Sequence, residues 1–366
     1  MTIIIFIIIL AVLVFVHELG HFLIAKASGI RVDEFGLGFP PRLWGKKIGE
    51  TTYTLNAVPF GGFVKIFGED PDEVSMSGPD SKRSIVNKPK WIQIAVLVAG
   101  IGFNIIFAWI LISIGFMIGL PSSTSAYPGE QLQNAKTVIT YVAPNSPAEK
   151  AGLKVGDTIE GVIANNQTTN ELSAQSLHDF IGSHSDQPIV FSWSRGDQTY
   201  TEPIKPQPGL GENNTPAVGI KMDDIGILHL SFFKALYEGA HLTILLVKDT
   251  AVTLAQFIYT AFVGKAHLSD VTGPVGIAGM VGDAARLGFI YILSFTALIS
   301  INLAIINLIP FPALDGGRVL FVIIEAIKGS PIKPTVANTI NAVGFALLII
   351  LMLVVTYHDI FKLFVK

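Results

Sequence analysis

Residues 3–16 are fourteen consecutive apolar side chains, and the run leads into His17-Glu18-Leu19-Gly20-His21 before resuming as Phe22-Leu23-Ile24-Ala25. A segment of this length and character is a membrane-crossing helix. On a helix, HExxH sets two imidazoles one turn apart on one face, where both reach a single metal ion. Glu18 stands beside them, placed to take a proton from a water polarised by that ion. The pattern is short enough to arise by chance. Inside lipid, however, ionisable side chains are costly, which makes them functional candidates. The segment lacks a basic n-region and a small-residue cleavage site, so it is predicted to be a retained helix rather than a signal peptide.

The bulk composition agrees. The 366 residues are 50% hydrophobic and 14% charged, against about 25% charged in soluble domains, and the mean hydropathy is +0.56. A net charge of −3 gives no case for nucleic-acid binding. The absence of cysteine excludes disulfides, thiolate ligands and a cysteine nucleophile. Any metal must therefore be held by His, Asp or Glu.

Four transmembrane helices are predicted, over about 3–27, 91–120, 287–308 and 339–357. Lys26, Arg31, Arg42, Lys46 and Lys47 follow the first, which places its C-terminal end and the histidines toward the cytoplasm. Within the loop 28–90, the β-prone runs 51–55 and 63–67 bracket Asn56-Ala57-Val58-Pro59-Phe60-Gly61-Gly62 and predict a hairpin-like element. Its apolar content suits a membrane-associated hairpin beside the metal; a small cytoplasmic hairpin remote from substrate is the alternative. In the second helix, Gly100, Gly102 and Asn104 interrupt the apolar surface. They suit close helix packing, with an active-site contribution from Asn104 open as well.

Residues 121–222 read as a soluble segment on the opposite, extracytoplasmic side, with strands at 138–142, 158–163, 189–194 and 199–204 and a helix at 176–183. Its signature Val142-Ala143-Pro144-Asn145-Ser146-Pro147-Ala148-Glu149-Lys150-Ala151-Gly152-Leu153-Lys154-Val155-Gly156-Asp157-Thr158-Ile159 resembles a PDZ domain, a fold that binds extended peptides by strand addition. Residues 223–270 are predicted to be a linker around an amphipathic helix, because Lys234, Glu238, His241, Lys248 and Asp249 interrupt it. His241 and His267 read as surface or packing residues. Residues 271–366 complete the membrane domain begun by 1–120.

The third helix stops at Asn307-Leu308-Ile309-Pro310-Phe311-Pro312-Ala313-Leu314-Asp315-Gly316-Gly317. Broken backbone at membrane depth is tolerated where it is buried in protein or lines a wet cavity. Asp315 is the natural third metal ligand beside His17 and His21, or else the N-cap of the next helix.

Together the HELGH helix, the PDZ-like segment and the Asn307-x-x-Pro310-x-Pro312-x-Leu314-Asp315-Gly316 motif make the chain similar to the bacterial site-2 proteases. Among these it most resembles the RseP-type regulated intramembrane zinc metalloproteases. The resemblance covers nearly the whole length. It implies Zn2+ on His17, His21 and Asp315, Glu18 as catalytic base, and Asn307 holding substrate or stabilising the tetrahedral intermediate. It also implies cleavage in or near the transmembrane segments of single-span substrates, such as anti-sigma factor remnants or signal peptides, in the inner membrane. Such a substrate would add a strand at the hairpin. Some relatives carry two PDZ domains where this chain has room for one, so their substrate-exclusion geometry does not transfer intact. A catalytically silent PDZ scaffold leaves the intramembrane His, Glu and Asp unexplained; a metal-ion transporter gives the PDZ segment no role.

Overall fold

The apolar run forms α1 (Thr2–Ala27) because leucine, isoleucine and phenylalanine satisfy lipid on the outside while the backbone bonds to itself. Gly29 ends it in the left-handed region at φ 66°, and the Ile30 amide returns to the Ala25 carbonyl at 3.0 Å, a helix stop that glycine permits at no steric cost. The computed structural model describes residues 2–69, 73–169, 171–196, 198–211, 215–265 and 271–364. His267 lies outside the described residues.

Two long strands follow, β1 (Val32–Ile48) and β2 (Thr51–Ile66), joined at Gly49. Their register corrects the predicted hairpin. Glu34 to Leu37 stand opposite Thr52 to Leu55 on one side and opposite Gly62 to Lys65 on the other, while Trp44 to Ile48 pair with Thr51 to Leu55. The runs 51–55 and 63–67 therefore do not pair with each other. The segment at the start of β1 lies between them and bonds to both, because a strand that has both neighbours satisfies both of its backbone edges. After α2 (Glu73–Ser77) comes α3 (Lys90–Ile118).

Residues Phe116–Ser231 form a separate compact unit. It holds β3 (Leu120–Ser123), β4 (Gln133–Val142), α4 (Pro147–Lys150), β5 (Thr158–Ala164), β6 (Gln167–Thr168), α5 (Ala174–Ser183), β7 (Ile189–Arg195), β8 (Gln198–Ile204) and β9 (Ile220–Leu228). The main sheet runs β3-β9-β4-β5-β7-β8, with β6 on β5. Ile139, Leu177, Ile189, Phe191 and Trp193 are buried at its core. β9 crosses residue 222, where the predicted soluble segment stopped. Residues 220–228 are thus a strand between β3 and β4, not the start of a linker helix; alternation was masked there by the Asp223-Asp224 pair, whose carboxylates turn to Ser123, Ser125 and Thr137.

The other unit, Met1–Gly115 with Phe232–Lys366, is completed by α6 (Phe232–Phe262), α7 (Pro274–Leu287), α8 (Phe289–Leu308), α9 (Asp315–Lys328) and α10 (Pro334–Phe364). Among the described residues, five helices are long and apolar enough to cross a membrane: α1, α3, α6, α8 and α10. The fifth is α6, predicted to be merely amphipathic. Past its first three turns only Lys248 and Asp249 carry charge, so its later part is more apolar than the whole. Ile350 and Leu353 of α10 are 57% and 60% exposed, an outward apolar surface that lipid covers and water would not. The chain is a multi-pass membrane protein.

Candidate metal centre

The close approach of α1 and α3 is built from glycine. A Cβ on Gly20 would lie 2.5 Å from the Ala99 carbonyl oxygen and 3.0 Å from Gly100 Cα, so the two backbones touch. Gly100 in turn leaves room for imidazole: a Cβ there would lie 2.8 Å from His17 Cε1. Both histidines are buried.

The third group arrives from the broken segment after α8. Ala313 takes φ 73°, with its amide held by Asn341 Oδ1 at 3.3 Å. Gly316 and Gly317 let the first turn of α9 press on the preceding loop, since a Cβ on either would strike the Leu308 or Phe311 carbonyl. The N-cap of α9 is Leu314 and makes no side-chain cap. Asp315 is therefore not the N-cap; it begins the helix with its carboxylate turned to the histidines.

His17 Nε2 stands 3.0 Å and His21 Nε2 3.3 Å from the same Asp315 Oδ2. The two Nε2 atoms are 3.2 Å apart. Two nitrogens bound tetrahedrally to zinc at about 2.05 Å sit about 3.3 Å apart, so these three separations match the edges of a zinc tetrahedron. Among the described residues this is the one His/Asp/Glu cluster of metal-binding size. Two neutral imidazoles and one carboxylate also leave the fourth position open, as catalytic zinc sites do. The donor set fits the ion.

Behind the histidines, His21 Nδ1 faces the Val96 carbonyl at 2.8 Å, and Asn104 Nδ2 lies 3.1 Å from His17 Nδ1. Such outer partners orient metal-binding imidazoles. A cavity of about 310 Å³ opens in front, lined by His17, Glu18, His21, Phe63, Asp315 and Arg318 among others. Glu18 accepts a backbone hydrogen bond from Val64. A Cβ on Gly62 would lie 3.5 Å from Glu18 Cγ, so the last segment of β2 runs beside Glu18.

Asn307 is placed differently. It is half-buried in the last turn of α8 and is not among the residues lining this cavity. Sequence reasoning also missed Arg318, which reaches the cavity and pairs with Glu69. Its signal was present: an arginine three residues past Asp315, flanked by apolar sequence, is costly without a partner. His241 is exposed on α6 beside Glu238, far from any described role.

Comparison with known proteins settles the class. The model of peptidase family M50 matches residues 5–351. The chain belongs to peptidase family M50. Its relatives include a Clostridium perfringens protein named as a candidate zinc metalloprotease, 36% identical over 95% of each chain. Zinc metalloprotease RasP of Geobacillus kaustophilus is 30% identical over 99% of this chain and 98% of its own. The regulator of sigma-W protease RasP of Bacillus subtilis is 29% identical over 99% of both. Among solved structures, the PDZ domain of an SdrC-like protein from Listeria monocytogenes is similar to 25% of this chain and 92% of its own, at 22% identity and a TM-score of 0.22. As an M50 peptidase, the chain is a zinc metalloprotease of the intramembrane, site-2 type.

Proposed function

We propose that this M50 peptidase hydrolyses peptide bonds within or near the transmembrane segments of single-span membrane proteins or leftover signal peptides. His17, His21 and Asp315 would hold Zn2+, and Glu18 would be the base. One observation carries the assignment: two Nε2 atoms and a carboxylate oxygen from residues 298 apart converge on one point with tetrahedral spacing. Zinc held there supplies Lewis-acid activation of water and of the scissile carbonyl. Glu18 takes a proton from the attacking water at its carboxylate and delivers it to the leaving amine nitrogen. The backbone N–H of Val64 holds that carboxylate toward the cavity.

Substrate geometry sets a second requirement. A transmembrane helix hides its carbonyls in its own hydrogen bonds, so the segment must unwind before attack, and unpaired amides in lipid cost several kcal/mol each. The free side of the last segment of β2, whose other side pairs with β1, would take the unwound strand. Asn307 would act on substrate arriving along α8, outside the cavity as described.

We also read the unit Phe116–Ser231 as a PDZ module facing the extracytoplasmic side, and the metal centre as facing the cytoplasm. A Cβ on Gly282 of α7 would touch Thr2 at the start of α1. Lys26, Arg31, Arg42, Lys46 and Lys47 follow the histidine end of α1, which supports the cytoplasmic side for the metal centre. Substrates would be anti-sigma factor remnants or signal peptides; the relative from Bacillus subtilis is named a regulator of sigma-W protease.

The decisive experiment compares wild type with Glu18→Gln on a panel of single-span substrates, with zinc content measured alongside. Metal should be retained and cleavage abolished. Cleavage that survives the substitution removes Glu18 as the base.

A further inference from the structure

An imidazole that offers its Nε2 lone pair to a metal must keep its one remaining proton on Nδ1. For His21 this is fixed. Its Nδ1 faces the Val96 carbonyl at 2.8 Å, and a carbonyl can only accept, so the proton sits on Nδ1 and Nε2 is free. For His17 it is not fixed, because its Nδ1 faces the amide of Asn104 at 3.1 Å. An amide donates from one end and accepts at the other, and half a turn exchanges them.

With Nδ2 toward the ring, Asn104 donates to Nδ1. The His17 proton then sits on Nε2, pointing at Asp315 Oδ2 3.0 Å away, and blocks ligation. With Oδ1 toward the ring, Asn104 accepts from Nδ1–H, and Nε2 is released. Asn104 is wholly buried, and its Oδ1 has no partner. An unsatisfied buried polar atom is destabilising, a cost that an apolar side chain at this position would avoid. The backbone here is also anchored, since Ser300 Oγ on α8 donates to the Asn104 carbonyl at 2.8 Å.

We propose that Asn104 is the positioning residue that selects the metal-binding tautomer of His17, accepting the Nδ1 proton through Oδ1, whereas the tautomer of His21 is set permanently by Val96. The inference rests on reading His17 and His21 as zinc ligands and adds a defined role to a side chain on a different helix.

The test uses the full chain in detergent as wild type, Asn104→Leu and Asn104→Asp. Asp keeps an acceptor at the same place; Leu keeps the bulk and loses it. Zinc affinity is measured by chelator competition, the Co2+ form by its visible absorption, and the His17 ring by 15N NMR of the zinc-loaded protein. Asn104→Leu should lose about 10–100-fold in zinc affinity and shift the Co2+ bands. Asn104→Asp should bind as wild type does, and wild-type His17 Nδ1 should carry the proton. Wild-type affinity in Asn104→Leu overturns the proposal, as does equal weakening in both variants, which would make the role one of packing. Should Asn104→Leu fail to fold, an unprotonated Nδ1 in wild type overturns it equally. A wild-type chain that takes up neither ion refutes the metal-centre reading itself, and the proposal with it.

Discussion

Replacing Gly100 by alanine adds a single methyl group, yet it should strip the metal from this protein. The new Cβ would stand 2.8 Å from His17 Cε1, 2.9 Å from His17 Nε2 and closer still to His21 Nε2. Attractive carbon contacts begin near 3.5 Å, so the His17 ring must retreat by at least about 0.6 Å, and the His21 ring by more. Metal–ligand distances tolerate about 0.2 Å, roughly a third of that displacement. Withdrawing α3 instead is no easier, because it would pull the Val96 carbonyl from His21 and open the contact at Gly20. The expected loss is at least tenfold in zinc affinity, about 1.4 kcal/mol, read by metal stoichiometry and chelator competition on purified protein. Gly102→Ala is the matched control: nothing lies within 4 Å of its Cβ position, so it should bind zinc normally. A folded Gly100→Ala protein with wild-type zinc affinity would refute the reasoning.

Val64→Pro deletes the amide that holds Glu18 and blocks strand addition at that point; cleavage of membrane substrates should slow while zinc content stays intact, and unchanged rates would take β2 out of the mechanism. In the β-rich unit, Arg195 Nε and Nη2 bind the buried Asp157 carboxylate at 2.6 and 2.7 Å. Arg195→Leu should lower that unit's stability by about 2 kcal/mol, the modest end for a buried pair because Arg195 is partly exposed, detectable as earlier proteolysis on heating. Hydrogen bonds from Lys26 and Arg83 hold the Glu50 carboxyl below the ordinary carboxylate range. Its stabilisation is complete above the unfolded value of about 4.3 and is lost as pH falls through the lower folded value. Glu50→Gln should flatten the melting temperature across that acid window, and an unaltered profile would assign the acid sensitivity elsewhere.

The residue types and their order were enough to name His17, Glu18, His21 and Asp315 as partners, because each is an ionisable group that lipid penalises unless something compensates. The same logic marked the helices, whose apolar runs are a local property of the chain. What the order of residues could not supply is which segments meet. The pairing of β1 with two parts of β2 depends on backbone edges, which carry no side-chain signature, so 51–55 and 63–67 looked like each other's partners. Asn104 and Gly100 read as packing residues on a helix; only the contact of α1 with α3 turns one into the neighbour of a ring nitrogen and the other into the space that the rings occupy. Asp315 could have capped its own helix. Tertiary structure gave that cap to Leu314 and freed the carboxylate, since a folded loop of glycines and prolines decides where a short side chain points, and that geometry is fixed by what the loop packs against.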